Sequence, residues 1–289
     1  GQVPAPLFDT QVAAPLLGYP EQVGYGNLVK SVLKVTLDKL HTRVDWSLRP
    51  LSPAQTRYAA DDVIFLAEIY QDLHHRLAAL GRLDWLDEDF RHLSDPALYE
   101  NPPEQSWLKV KGANRLRGAS LAVLQALAKW REEQARERDR PRAWLLRDDA
   151  MVDIARHRPS SLDAFKRIRG LSERLLERSG KRLLALVQEA GQKKPTPLPD
   201  KGIRIPLSVA QDATVDLLMA VVRMTAADND LNPAVLASRK QLEQLVLAKA
   251  DSPVLQGWRK QLVGDRLHAV LDGQVTFRVQ EGAVQLADA

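Results

Sequence analysis

Two proline-rich interruptions constrain this chain more than any other feature, because proline ends a helical pattern and cannot donate to a strand ladder. The first is Asn101-Pro102-Pro103-Glu104, and the second is Lys193-Lys194-Pro195-Thr196-Pro197-Leu198-Pro199-Asp200. They divide 289 residues into segments 1–100, 115–194 and 203–289, each long enough for a small core. With 45% apolar residues, disorder is not the expectation. No uninterrupted apolar run approaches the ~18 residues of a bilayer crossing, so no membrane partner is expected. Cysteine is absent, which removes disulfides, thiolate nucleophiles and thiolate zinc sites together. With no secretory-type apolar segment either, a cytoplasmic location is expected. The chain opens on Gly1 rather than methionine, which points to a processed or truncated polypeptide.

The apolar pattern within the segments is mainly helical. Pro6-Leu7-Phe8-Asp9-Thr10 reads as a strand end, with Asp9 as the N-cap of the helix that follows. A longer helix begins at Ser52-Pro53-Ala54-Gln55, where Ser52 caps, Pro53 fits the first helical position and Gln55 completes a capping box. Val63, Leu66, Tyr70, Leu73 and Leu77 recur at helical spacing and are expected to form its buried face. The second segment opens with Leu121, Leu124, Ala128 and Arg131 in the same rhythm. The third repeats that layout from a helix capped by Ser208 and Gln211. Alternation in Val275, Phe277 and Val279, a turn at Gln280-Glu281-Gly282, then Val284 and Leu286, predicts a terminal β-hairpin.

Charge is unevenly spread. Residues 1–110 carry ten Lys and Arg against fifteen Asp and Glu, a net of −5. Residues 115–194 carry twenty against eleven, a net of +9, and residues 203–289 come to −1. A basic module suits a polyanion. Arg174, Arg178 and Arg182 follow one another at intervals of four, a row of like charge that is unfavourable unless an anion offsets it. With Lys166, Arg167 and Arg169 entering from the preceding turn, they are the expected phosphate contacts.

Chemistry concentrates at Tyr58-Ala59-Ala60-Asp61-Asp62, which sets a phenol and a carboxylate one helical turn apart on one face. Asp62 suits a hard divalent cation, and the Tyr58 hydroxyl suits orientation of an attacking water. Asp61 falls ~100° round the helix from Asp62 and is not expected to be a second ligand.

The run Thr36-Leu37-Asp38-Lys39, Asp45-Trp46-Ser47-Leu48-Arg49-Pro50-Leu51-Ser52, Gln55 and Tyr58-Ala59-Ala60-Asp61-Asp62-Val63 resembles the third exonuclease motif of ribonuclease D, among the DEDDy 3′-to-5′ exonucleases. Phe8-Asp9-Thr10-Gln11-Val12-Ala13-Ala14 resembles the segment that precedes that motif. Residues 115–190 resemble the family's first HRDC domain through Trp130-Arg131-Glu132, Arg158-Pro159-Ser160-Ser161-Leu162 and Ile168-Arg169-Gly170-Leu171. Residues 205–287 resemble its second through Leu236-Ala237-Ser238-Arg239-Lys240-Gln241-Leu242 and Gly257-Trp258-Arg259-Lys260.

The resemblance implies a mainly α chain: the C-terminal helical part of an RNase H-like α/β exonuclease domain, followed by two helical HRDC bundles. It implies a metal-dependent 3′-to-5′ exoribonuclease using Mg2+ or Mn2+, acting on tRNA precursors and structured RNA with single-stranded 3′ ends. Four carboxylates bind two cations in that family, and Asp62 matches the fourth while Tyr58 matches the motif tyrosine. The Asp-x-Glu of the first motif and the aspartate of the second have no counterpart in these residues, so the chain by itself is expected to be inactive. The alternative is a non-catalytic RNA- or DNA-binding HRDC protein with an exonuclease remnant as scaffold. A helicase fits less well, because no phosphate-loop glycine signature is present. His74 and His75 read as ordinary helix positions, and Trp130, Trp144 and Trp258 as core or partly buried anchors.

Overall fold

Helix starts are set by side chains that satisfy the free amides of a first turn. In a computed structural model that describes residues 3–38, 41, 42, 44–199, 206–247 and 252–289, Asp9 accepts from the amides of Gln11 and Val12 to open α1 (Thr10–Ala13). Helix α2 spans Tyr25–Leu33. The Ser52–Gln55 capping box opens α3 (Pro53–Ala79), with both reciprocal hydrogen bonds formed, and α4 (Asp87–Leu93) follows. Lys39, Asp200 and residues 203–205 lie outside the described residues.

The first and last segments form one compact unit, residues 1–98 with 205–289. The last segment contributes α10 (Val209–Asp228), α11 (Pro233–Leu236), α12 (Arg239–Val246), α13 (Gly257–Arg259) and α14 (Asp265–Leu271), with a π turn at Lys260–Gly264. A Cβ on Gly264 would lie 2.8 Å from the Val254 carbonyl oxygen, so only glycine fits there. Strands β1 (Val275–Gln280) and β2 (Ala283–Asp288) pair antiparallel, with Val275 opposite Asp288 and Gln280 opposite Ala283. They are the only strands among the described residues. Residues 6–9 are therefore not a strand end, because nothing described there pairs with them.

A single hydrophobic cluster joins Leu28, Ile69, Leu73 and Leu77 to Val215, Leu218, Val222 and Leu267. Arg82 fastens the two segments. Its buried guanidinium donates to the Leu16 carbonyl at 2.9 Å and the Asn229 carbonyl at 2.7 Å. Trp85 and Trp258 stack with centroids 4.3 Å apart, and the Trp258 indole N–H donates to the Trp85 carbonyl at 3.2 Å. Gly18, at φ +84°, turns the chain where Asn232 meets it, the Asn232 amide donating to Pro15 and its side chain to Tyr19.

The second unit, residues 99–204, contains α5 (Gly118–Glu137), α6 (Arg142–Leu145), α7 (Asp148–His157), α8 (Leu162–Lys166) and α9 (Glu173–Gly191). Leu124, Leu127, Met151, Ile154, Phe165 and Leu183 form its centre. Arg131 is buried and donates to the Leu146 carbonyl at 2.8 Å and to Asp148 at 2.7 Å. Burial raises the Asp148 pKa, but the Arg131 hydrogen bond and the Lys111 amide outweigh it and hold the carboxyl below its ordinary value. Since the folded pKa is the lower one, this stabilisation is complete above the unfolded value of about 3.9 and is lost as pH falls through the folded value. Asp148→Asn is therefore expected to lower the urea midpoint at neutral pH and to shrink the further loss seen below about pH 4. Equal midpoints for the two proteins at neutral pH contradict this.

Candidate active site

The sequence places Tyr58 and Asp62 near the start of α3, and the buried residues of that helix lie at its other end. Ile69, Leu73 and Leu77 are fully buried, which fixes the C-terminal half. Val63 is 69% exposed, and Leu66 and Tyr70 are exposed as well. The buried face anticipated from Val63, Leu66, Tyr70, Leu73 and Leu77 thus holds only at Leu73 and Leu77, because Val63, Leu66 and Tyr70 lie outside the core that buries Ile69, Leu73 and Leu77.

Tyr58, Asp61 and Asp62 line a cleft of about 590 Å³ with Tyr25, Asp38 and His41. Tyr58 is partly buried and Asp62 is exposed. The Tyr58 hydroxyl lies 3.4 Å from the Thr42 hydroxyl. His41 meets its ring edge-on at a centroid distance of 5.9 Å, and Trp46 lies tilted at 5.7 Å. Trp46 is placed by a local turn in which the Asp45 carboxylate accepts from the Ser47 amide at 2.9 Å and the Ser47 hydroxyl at 2.6 Å. Those two bonds also lower the Asp45 pKa. The phenol is thus held on three sides by the loop the sequence motif encodes.

Asp61 lines the same cleft but is engaged by Arg57 at 2.9 Å, one turn away on the helix. Among the described residues no hydrogen bond or ion pair engages the Asp62 carboxylate, which leaves it open to a ligand in the cleft. Its chemistry suits a hard divalent cation. Yet among the described residues no group of three or more His, Asp or Glu side chains could hold a metal ion. One free carboxylate does not complete a cation site, so these residues alone do not fit the group.

Sequence reasoning missed Tyr25. Its phenol sits against the α3 backbone, within donor distance of the Asp62 carbonyl at 2.9 Å and the Asp61 carbonyl at 3.1 Å. Burial, with Asp62 and Asp61 nearby, pushes its pKa up to about 12, so it remains a donor across the working range of pH. A tyrosine thirty-odd residues away carries no local signal in the sequence; only the packing of α2 on α3 reveals it.

The anticipated basic residues are exposed on the second unit: Lys166, Arg167, Arg169, Arg174, Arg178 and Arg182. Lys166 is paired with Asp163 at 2.9 Å. Among the described residues no ion pair engages Arg174, Arg178 or Arg182, so the row of like charge stays uncompensated. Trp130 is 7% exposed and Trp258 is stacked, but Trp144 is 73% exposed. The expectation of a buried or partly buried Trp144 fails because the indole sits on the outer side of the short turn α6, away from the core of the unit.

A family model described as 3′-5′ exonuclease matches residues 1–78, and one described as HRDC domain matches residues 120–187. Ribonuclease D of Zymomonas mobilis is 37% identical over 290 residues, covering 99% of this chain and 74% of that protein. Ribonuclease D of Gluconacetobacter diazotrophicus is 41% identical over 283 residues, covering 96% and 71%. The crystal structure of Escherichia coli RNase D, described as an exoribonuclease involved in structured RNA processing, matches with a TM-score of 0.66 at 31% identity, covering 94% of this chain and 74% of that one.

Tyr25→Phe keeps the ring and removes the donor shared by the Asp61 and Asp62 carbonyls. Hydrogen exchange is expected to quicken at the amides of Phe65 and Leu66 while Leu73 and Leu77 keep their protection. Unchanged exchange at Phe65 and Leu66 contradicts a positioning role for Tyr25.

Proposed function

The chain belongs to the ribonuclease D family of 3′-to-5′ exoribonucleases, and from that premise we propose that RNA 3′ ends are trimmed at the cleft containing Tyr58 and Asp62. The observation that carries this reading is the pairing of a restrained phenol with an unengaged carboxylate in one open cleft. The substrates are tRNA precursors and other structured RNAs with single-stranded 3′ ends. Tyr58 orients the attacking water through its hydroxyl, and Tyr25 steadies the helix that carries both side chains. Trp46 and His41 limit how far the phenol can turn.

Divalent-metal dependence, on magnesium or manganese, is part of the reading, with Asp62 contributing one ligand. The other carboxylates the family uses are not among these 289 residues, so a polypeptide of these residues alone binds RNA without degrading it. RNA is held by the exposed arginines of the second unit, where Arg174, Arg178 and Arg182 neutralise successive phosphates. The third segment we assign as a second HRDC-type module. Its support is the shared layout: α5 and α10 each have 20 residues, and each is followed by a four-residue helix, α6 and α11.

The test uses RNA labelled at the 5′ end, magnesium, and the chain joined to a segment supplying the first two family motifs. Stepwise shortening from the 3′ end is expected, and Asp62→Asn slows it by on the order of 10²-fold. The 289-residue chain alone is expected to shift the RNA on a gel and leave it intact. Trimming that survives Asp62→Asn at full rate overturns the assignment of the cleft.

A further inference from the structure

In the second unit the tryptophans divide sharply by exposure. Trp107 and Trp130 are 3% and 7% exposed, while Trp144 is 73% exposed. An indole in water gives up the largest apolar burial a side chain can make, so its position is set by its surroundings rather than by its own preference. Those surroundings are rigid. Leu146, two residues on, is 2% exposed, and its carbonyl is held by the buried Arg131 at 2.8 Å. On the other side the chain turns at Asp139, with φ +46°, and Pro141, whose carbonyl accepts from the Trp144 amide at 2.9 Å. The single turn of α6 is therefore held at both ends, and the indole stands on its solvent side.

One cation lies over the ring. The Arg140 guanidinium lies 6.0 Å from the ring centroid. Arg142 and Arg136 share Glu132, one at each carboxylate oxygen, both at 3.7 Å. Among the described residues no ion pair engages Arg140. A hollow of about 440 Å³ opens beside the turn, lined by Glu132, Arg136, Asp139, Arg140 and Arg142. The segment as a whole has a net charge of +9.

From this geometry we infer that Trp144 is a stacking platform for one unpaired base of single-stranded RNA, with Arg140 and Arg142 meeting the flanking phosphates. Every base has a π face, so such a platform tolerates any sequence, and a neighbouring guanidinium strengthens it. An acidic protein surface would satisfy the arginines but would not use an open indole face, whereas a nucleotide uses both. The inference rests on the RNA-binding reading above and adds a second element to it: a contact whose strength comes from stacking and so persists when salt screens the phosphate contacts.

The test measures affinity of the full 289-residue chain for a short single-stranded oligoribonucleotide and for an abasic oligonucleotide of the same length, at two salt concentrations. Trp144→Ala is expected to weaken binding to the oligoribonucleotide by about 5- to 150-fold. Trp144→Phe is expected to restore most of the loss, and affinity for the abasic strand is expected to be the same in all three proteins. The salt dependence of the Trp144→Ala protein should keep its slope, since stacking releases no counterions. Thermal melts check that each variant is folded. If the unaltered chain binds RNA and Trp144→Ala binds equally well, the platform is overturned and the RNA reading stands. A chain that does not bind RNA at all overturns both.

Discussion

Helix α3 is held at one end and working at the other, and the candidate site depends on that asymmetry. Ile69, Leu73 and Leu77 are fully buried in the shared core, so the helix axis is fixed by packing rather than by its own propensity. The capping box at Ser52 keeps the opposite end from fraying. Between these anchors Tyr58 and Asp62 are presented on a stretch whose apolar neighbours, Val63, Leu66 and Tyr70, are left open. A helix with this division positions polar groups accurately without surrounding them.

What fixes the anchored end comes largely from the far end of the sequence. Leu218, Val222 and Leu267 share the core with Leu73 and Leu77, and Arg82 ties the carbonyls of Leu16 and Asn229 together. Burial lowers the Arg82 pKa, yet its hydrogen bonds and the Trp85 ring 5.3 Å away accommodate the cation. The last segment thus supports the helix that carries the site. The second unit is built on the same logic at smaller scale, around Arg131 and Asp148.

Much of this was legible in the sequence where the signal is local. The caps at Asp9, Ser52 and Ser208 are formed, and the alternation after Val275 is a hairpin, because capping and pleating depend on neighbours a few residues away. The Tyr58–Asp62 spacing places both residues on one cleft for the same reason. Burial was less legible. A helical stripe of Val63, Leu66 and Tyr70 states which side is apolar, not whether anything covers it. Trp144 misled in the same way, since an indole at helical spacing reads as core until the turn that carries it is seen in place. Tyr25 and Arg82 were invisible, because their partners lie far along the chain and the residue types alone do not reveal which backbone carbonyls they will meet.

The central claim is that the open end of α3 is where a divalent cation and the RNA terminus meet. Titrating manganese into the isotopically labelled chain, joined to a segment supplying the first two family motifs, and following paramagnetic broadening of its amide signals tests this most directly. The account predicts that the first amides to broaden, at substoichiometric manganese, are those of Tyr58 to Asp62 and of Tyr25 beside them. Broadening that begins instead at another acidic stretch, such as Asp84 to Asp89, with Tyr58 and Asp62 unaffected, would contradict it.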